Sequence, residues 1–297
     1  MTTIKRRHHY VWRWYLGAWA ESEQLWCLRD SRVFQANIRD LGVQRDFHVV
    51  REFRPIDRVW VEGIISKLPA SLQPHQREVA RRYDLIGRAY ASFVRDNVEV
   101  PQTVALAKQH WEEDLHERIE AGALPFIESL REGRISILDD DHARNVVSYF
   151  LATQWMRTKG IQDKLNRAWP DERYAQSVEL TWPLCRHFFA ASFGLSLARN
   201  SERQTFQILI SPPGQPFLTS DQPVLNLASS HDVTPPEELD LLYPLSPSHA
   251  LLLADLPVGS ERVRQIDAGE AAAINLAIIA SAHEQIYATD KAALSAP

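Results

Sequence analysis

Residues 147–161 contain a pattern that could do chemistry. Val147, Phe150, Leu151, Gln154, Arg157, Thr158 and Ile161 recur at intervals of three and four, so a helix gathers them on one face. Gln154 and Arg157 interrupt that apolar stripe side by side. A guanidinium without a counter-charge is very costly in apolar surroundings, so Arg157 must meet a carboxylate of the chain or an anionic ligand. Its planar fork suits phosphate and carboxylate oxygens. The expectation is a cleft in which Arg157 awaits such an anion; an internal pair with Glu120 or Asp221 is the alternative.

Other polar groups stand in similar positions. Asn275 shares a face with Ala271, Ile278 and Ala282, where its amide would orient a ligand or satisfy nearby backbone. The run Leu218–Val224 ends a strand-like segment with Ser220 and Asp221; a carboxylate there can act on a substrate or simply shape a turn before Pro223. His8-His9-Tyr10 supplies two imidazoles beside a phenol, and because neighbours in a strand point to opposite faces, one His enters a given site. Glu120 shares its face with His116 and Ile127 but has acidic neighbours, so spacing leaves both burial and exposure open.

Familiar signatures are missing: there is no glycine-rich phosphate loop, no G-x-S-x-G elbow and no H-E-x-x-H zinc helix. Nor is there an Arg followed four to six residues later by His, as one large class of helical ribonucleases uses. His231-Asp232 reads as a loop dipeptide.

These residues need elements to hold them. Trp12, Tyr15, Leu16 and Trp19 have the spacing of a short buried helix, expected to anchor the His pair against the body. Gln24–Leu28 and Arg32–Gln35 read as a hairpin across Arg29-Asp30-Ser31, and Arg39–Arg54 is irregular. From Asp57 to Ala198 helical periodicity dominates, with long helices at 74–96, 101–132, 140–167 and 172–198. Pro101 suits a helix start, Pro125 should kink or break its helix, and Asp139-Asp140-Asp141 should cap the third. After Arg203 the pattern turns to strands at 205–210, 216–219, 224–227, 241–245 and 250–255, then a helix over 267–283 and a closing strand at 285–288. The expected fold is one α+β unit over residues 1–297, a mostly helical body packed beside a small, mainly antiparallel sheet.

Composition sets the outer limits. The 297 residues are 45% hydrophobic and 24% charged, enough for a core without staples. A net charge of −5 gives no global attraction to nucleic acid, although a local basic face is compatible with it. Arg77, Arg81, Arg82, Arg88 and Arg95 precede Glu112, Glu113, Asp114, Glu117 and Glu120, which reads as two neighbouring helices with solvated, mutually attractive faces. Two distant cysteines, no signal-like apolar run and no membrane-length segment make a cytoplasmic setting, with no membrane partner, the expectation.

The segments taken in order resemble DUF4238, a family of unknown function that opens on a His-His-Tyr-Val-Pro signature. The matching pieces are His8-His9-Tyr10-Val11, Trp14-Tyr15-Leu16, Gln24-Leu25-Trp26, Arg45-Asp46-Phe47, Ile119-Glu120, Phe150 through Gln154 to Arg157-Thr158, Phe217–Val224, Pro244–Pro247 and Ile274-Asn275. Trp12 stands where the signature has proline, and Phe47–Val100 matches poorly. The resemblance implies that His8, His9, Glu120, Gln154, Arg157, Ser220, Asp221 and Asn275 form a shared polar cluster, and it brings no activity with it.

The function expected from these groups is a hydrolase-type enzyme acting on a phosphate-containing substrate, a nucleotide or nucleic acid. Arg157 would bind the anion; Glu120 or Asp221 with His8 or His9 would serve as general base or hold a divalent metal. Tyr10, Gln154, Ser220 and Asn275 would orient the substrate or the groups behind the reacting ones. The alternative is a non-catalytic binding or regulatory module that senses a small anionic ligand, and a third reading makes the cluster an internal ion-pair network.

Overall fold

A computed structural model describes residues 6–47, 49–168, 172–200, 204–229, 238–257 and 259–294. The helical part runs through α1 (Arg13–Leu16), α2 (Pro55–Ile65), α3 (Gln73–Arg95), α4 (Gln102–Arg131), α5 (Asp141–Met156), α6 (Lys159–Ala168) and α7 (Glu172–Arg199), with α8 (Ala268–Ser281) near the C-terminus. Local chemistry starts several of them. Asp140 caps α5 by accepting the Ala143 N–H at 2.8 Å, as the acidic triplet predicts, and Asp267 caps α8 through the Glu270 N–H at 2.8 Å. At α2, Pro55 opens the first turn while Asp57 reaches back to the Arg54 N–H at 2.9 Å. Pro125 lies inside α4, which continues to Arg131 without interruption.

The expected helix over 140–167 is instead two. Its break falls at Arg157-Thr158, where no proline or glycine requires one. Tertiary contacts supply the cause: the Thr158 hydroxyl donates to Gln222 Oε1 at 2.7 Å, and a Cβ on Gly160 would lie 2.6 Å from Gln222 Nε2. The chain bends to seat this junction against the strand region. α5 and α7 also pack closely, since a Cβ on Gly194 would come within 2.7 Å of Tyr149 Cα.

Eleven strands among the described residues form three sheets. β1 (Arg7–His9) pairs antiparallel with β4 (Val43–Arg45), inside a region the sequence pattern left irregular. β2 (Gln24–Arg29) and β3 (Arg32–Asn37) make the expected hairpin, with Asp30 and Ser31 at φ of 50° and 59° as its tight turn. Together with β6 (Thr219–Ser220) and β11 (Ile286–Ala288) they form a sheet of order β3-β2-β11-β6. The third sheet combines β5 (Thr205–Ile210), β7 (Leu225–Asn226), β8 (Leu241–Pro244), β9 (His249–Ala254) and β10 (Val263–Gln265) in the order β10-β5-β9-β8-β7. Only the β10–β5 pairing is parallel among the described strands, and the fold is α+β.

β9 explains why the five-stranded sheet reads as nearly continuous apolar sequence. Leu251 and Leu253 face a core built on α4, α5 and the N-terminal aromatics, while Ala250, Leu252 and Ala254 face a second core against α8. Both faces are covered, so alternation disappears. Within the first core Leu16 and Trp19 are fully buried, the Trp19 indole donates to the Phe217 carbonyl at 2.8 Å, and Trp12 is half-buried edge-on to Phe150. The N-terminal segment is thereby fixed to the body. A third core joins α2, α3 and α7 through Val61, Ile65, Tyr83, Leu184 and Phe188. No described helix is long and apolar enough to cross a membrane. His231-Asp232 lies outside the described residues.

Candidate functional site

α4 carries Lys108, Glu112, His116 and Glu120 at intervals of four, so these side chains lie along one stripe of the helix. The stripe is turned inward. Glu112, 1% exposed, is the focus of a buried cluster with α7: its Oε1 accepts Arg186 Nε at 2.6 Å and contacts His187 Nε2 at 2.9 Å, and His116 Nε2 is 3.7 Å away. Arg186 Nη2 pairs with the same oxygen. The guanidinium lies 5.2 Å from the Phe47 ring centroid, and the two imidazole rings are 5.1 Å apart. Burial pushes His187 below its ordinary value against the pull of Glu112, which keeps the ring neutral near pH 7.

One step along the network, Arg186 Nη1 reaches the Arg157 carbonyl at 3.5 Å. Arg157 is itself 3% exposed; Nη1 pairs with Glu120, and Nη2 donates to the His9 carbonyl of β1. The cleft expected around Arg157 is therefore corrected: its guanidinium is enclosed and neutralised by a carboxylate of the chain. Three donors nearby nevertheless have no acceptor. Arg157 Nε, Gln154 Nε2 and the Tyr243 hydroxyl are all buried without a hydrogen-bond partner. Gln154 lies one helical turn before Arg157, and Tyr243 is close enough to feel the charges of Glu120 and Arg157.

The other expected site residues are distributed unevenly around this centre. His8 is fully buried and His9 partly so, their side chains on opposite faces of β1. Burial and the charges of Arg157, Arg13 and Arg7 push His9 down to about 4. Tyr10 is buried, and its hydroxyl accepts from Gln285 Nε2 at 3.2 Å. The Asp221 carboxylate is engaged by backbone: its oxygens accept the N–H groups of His283 and Glu284 at 2.8 Å and of Gln285 at 3.2 Å. Burial raises Asp221 and these donors oppose it. Ser220 bonds locally to the backbone N–H and carbonyl of Gln222, and Asn275 bridges the Leu218 N–H and the Pro216 carbonyl, each at 2.9 Å. Asp221, Ser220 and Asn275 thus tie the strand region together, and Thr158–Gln222 joins that region to the Arg157 turn.

Glu112, His116, Arg186 and His187 were not singled out from sequence as site residues. By sequence Glu112 belongs to a solvated acidic face that attracts the arginines of α3. The structure corrects this: Arg77 pairs with Glu62, Arg81 and Arg82 with Glu78, Arg88 with Asp84 and Arg95 with Glu52, while Glu112 turns inward. The spacing Lys108–Glu112–His116–Glu120 was the available signal, and the acidic neighbours masked it.

Near the outer end of the stripe lies a cleft of about 480 Å³, lined by Arg6, Asp46, Val49, Arg51, Tyr90, Ala105, Lys108 and Gln109. Of its three cations, Arg6 pairs with Asp46, Arg51 lies 3.4 Å from Glu179, and the Lys108 ammonium lies 3.6 Å from the Tyr90 ring centroid. Asp46 precedes Phe47, on whose ring Arg186 rests, so one short segment links cleft and buried network.

The family model for proteins of unknown function DUF4238 matches residues 7–186 and 184–292. The chain belongs to the DUF4238 family. That match covers the buried network and, apart from Arg6, the cleft of this DUF4238 protein. No curated protein and no solved structure matches the chain.

Proposed function

We propose that this DUF4238 protein is a hydrolase-type enzyme acting on a phosphate-containing substrate, a nucleotide or a nucleic-acid phosphate. The observation that carries the reading is the set of three buried donors without acceptors, Arg157 Nε, Gln154 Nε2 and Tyr243 Oη. An unsatisfied buried donor costs about 1–3 kcal/mol, and phosphate oxygens, which only accept, relieve several such donors at once. The cationic cleft of Arg6, Arg51 and Lys108 supports the same class by drawing anions to that side of the protein. Glu112 with His187 is the acid–base pair in this reading, the imidazole lying against the carboxylate and held neutral by its burial. Glu120 holds Arg157 in place, and Asp221 holds the strand region that seats the Arg157 turn.

A second reading, a non-catalytic module that senses a small anion, is favoured by one observation: both buried guanidinium groups are already paired with carboxylates. The test is a hydrolysis panel of bis(p-nitrophenyl) phosphate, nucleotides, and short single-stranded DNA and RNA, using wild type, Gln154→Leu and Lys108→Ala. Turnover that falls in both variants supports the enzyme. A phosphate-induced rise in Tm that depends on Gln154, without turnover of any substrate, supports the sensor. Absence of both effects refutes both.

A further inference from the structure

We propose that Glu112, His116 and His187 form a binding site for a divalent transition-metal ion, with Zn2+ the best match to the donor set. The inference does not need phosphate hydrolysis, and with an ion bound Glu112 and His187 would act as ligands in place of an acid–base pair. One carboxylate and two imidazoles converge from two helices, and their ligand atoms all lie within 4.8 Å of one another. Tetrahedral zinc, with ligand distances of about 2.0–2.1 Å, places its donors roughly 3.4 Å apart. The separations of Glu112 Oε1 from His187 Nε2 and His116 Nε2, 2.9 and 3.7 Å, bracket that value. Glu112 and His116 are one turn apart on α4, the i, i+4 spacing by which a single helix presents two ligands to one ion. His187 comes from α7, so three protein ligands leave a fourth position for water or substrate, as catalytic zinc sites do.

The donor chemistry favours a site over a scaffold. Arg186 pairs with Glu112 through its guanidinium. Two imidazoles buried beside that carboxylate bring three ligand atoms to one point, an arrangement that suits an ion. The obvious objection is charge, since a dication entering beside Arg186 leaves the cluster strongly positive. The chemistry answers it in two ways: a zinc-bound water ionises near neutral pH, and an anionic ligand at the fourth position neutralises the remainder. Arg186 and a bound ion would share the Glu112 carboxylate.

The experiment uses the full chain, treated with chelator, dialysed and titrated with Zn2+ and Co2+. Wild type is expected to take up one ion per chain, with Co2+ giving the intense visible absorption of a tetrahedral nitrogen–oxygen site and Zn2+ raising Tm. His116→Gln and His187→Gln should each weaken binding by more than the roughly 10–100-fold that follows loss of a mere supporting contact. Arg186→Met, which leaves Glu112 without its competing cation, should show a larger Zn2+-induced Tm rise than wild type. A folded wild type that binds no ion stoichiometrically overturns the proposal. So does one-to-one binding that survives the double variant His116→Gln/His187→Gln. If the histidine variants fail to fold, the Co2+ spectrum of wild type decides, and weak octahedral absorption refutes the site.

Discussion

Replacing Arg157 with alanine tests whether the enclosed guanidinium holds the molecule together. The substitution leaves the Glu120 carboxylate, its side chain 13% exposed, without a counter-charge, and leaves the His9 carbonyl without its donor. Breaking a buried ion pair from one side costs about 3–5 kcal/mol. One compensation applies: Arg157 Nε is unpartnered, and removing such a buried donor returns about 1–3 kcal/mol. The two ranges leave a net loss of about 0–4 kcal/mol, centred near 2 kcal/mol, and for a chain of this size that centre lowers Tm by roughly 3 °C. Removing both charges with Arg157→Met/Glu120→Leu should recover most of that loss, because an apolar pair of similar volume leaves no stranded carboxylate. Thermal melts and urea titrations at pH 7 of wild type, both single variants and the double variant complete the cycle. An Arg157→Ala variant more stable than wild type, or a double variant as unstable as the two singles added together, would refute the reasoning.

Two other outcomes follow from the same structure. Asp221→Asn removes the charge that receives the N–H groups of His283, Glu284 and Gln285; a loss of about 2–3 kcal/mol is expected, together with faster amide exchange at those three positions, and unchanged exchange there would contradict the tie. His9 titrates at about 4 in the folded chain against an ordinary value of 6.5, so the unfolded chain takes the proton first and stability falls as pH drops from about 6.5 towards 4. The ceiling is about 3 kcal/mol, reduced by the partial exposure of His9. His9→Gln should flatten that part of the pH–Tm profile, and a profile identical to wild type would show that the imidazole is not buried neutral.

Much of the fold was legible because its signals are local. The long helices announce themselves by periodicity, Asp140 by its capping chemistry, and the β2–β3 hairpin by the Asp30-Ser31 turn. The break at Arg157-Thr158 was not legible, because Gln222 and Gly160, distant in sequence, impose it. β1–β4 and β10 escaped for a related reason: strands of three residues carry too little alternation to stand out, and tertiary pairing defines them. At the site, Arg157 and Gln154 were visible as polar interruptions of an apolar face. Glu112 was hidden by Glu113, Asp114 and Glu117, which make its turn of α4 look uniformly wet although one side faces inward. Whether Arg157 met a carboxylate or a ligand could not be read from one helix, because the answer lies on α4 and β1.

The four-stranded sheet has a consequence for how the chain acquires its shape. β2 pairs with β3 on one edge within a few residues, but its other edge waits for β11, with Trp26 opposite Ala288 and Leu28 opposite Ile286. During synthesis the β2–β3 hairpin emerges long before β11, so a strand edge waits open while the residues between them are made. Such long-range pairing is slow to form, and an open edge is a template for pairing with other chains. Arg29 and Arg32, paired with each other at the tip of the hairpin, place like charges at that end of the waiting edge, where they hinder a second nascent chain from docking in register.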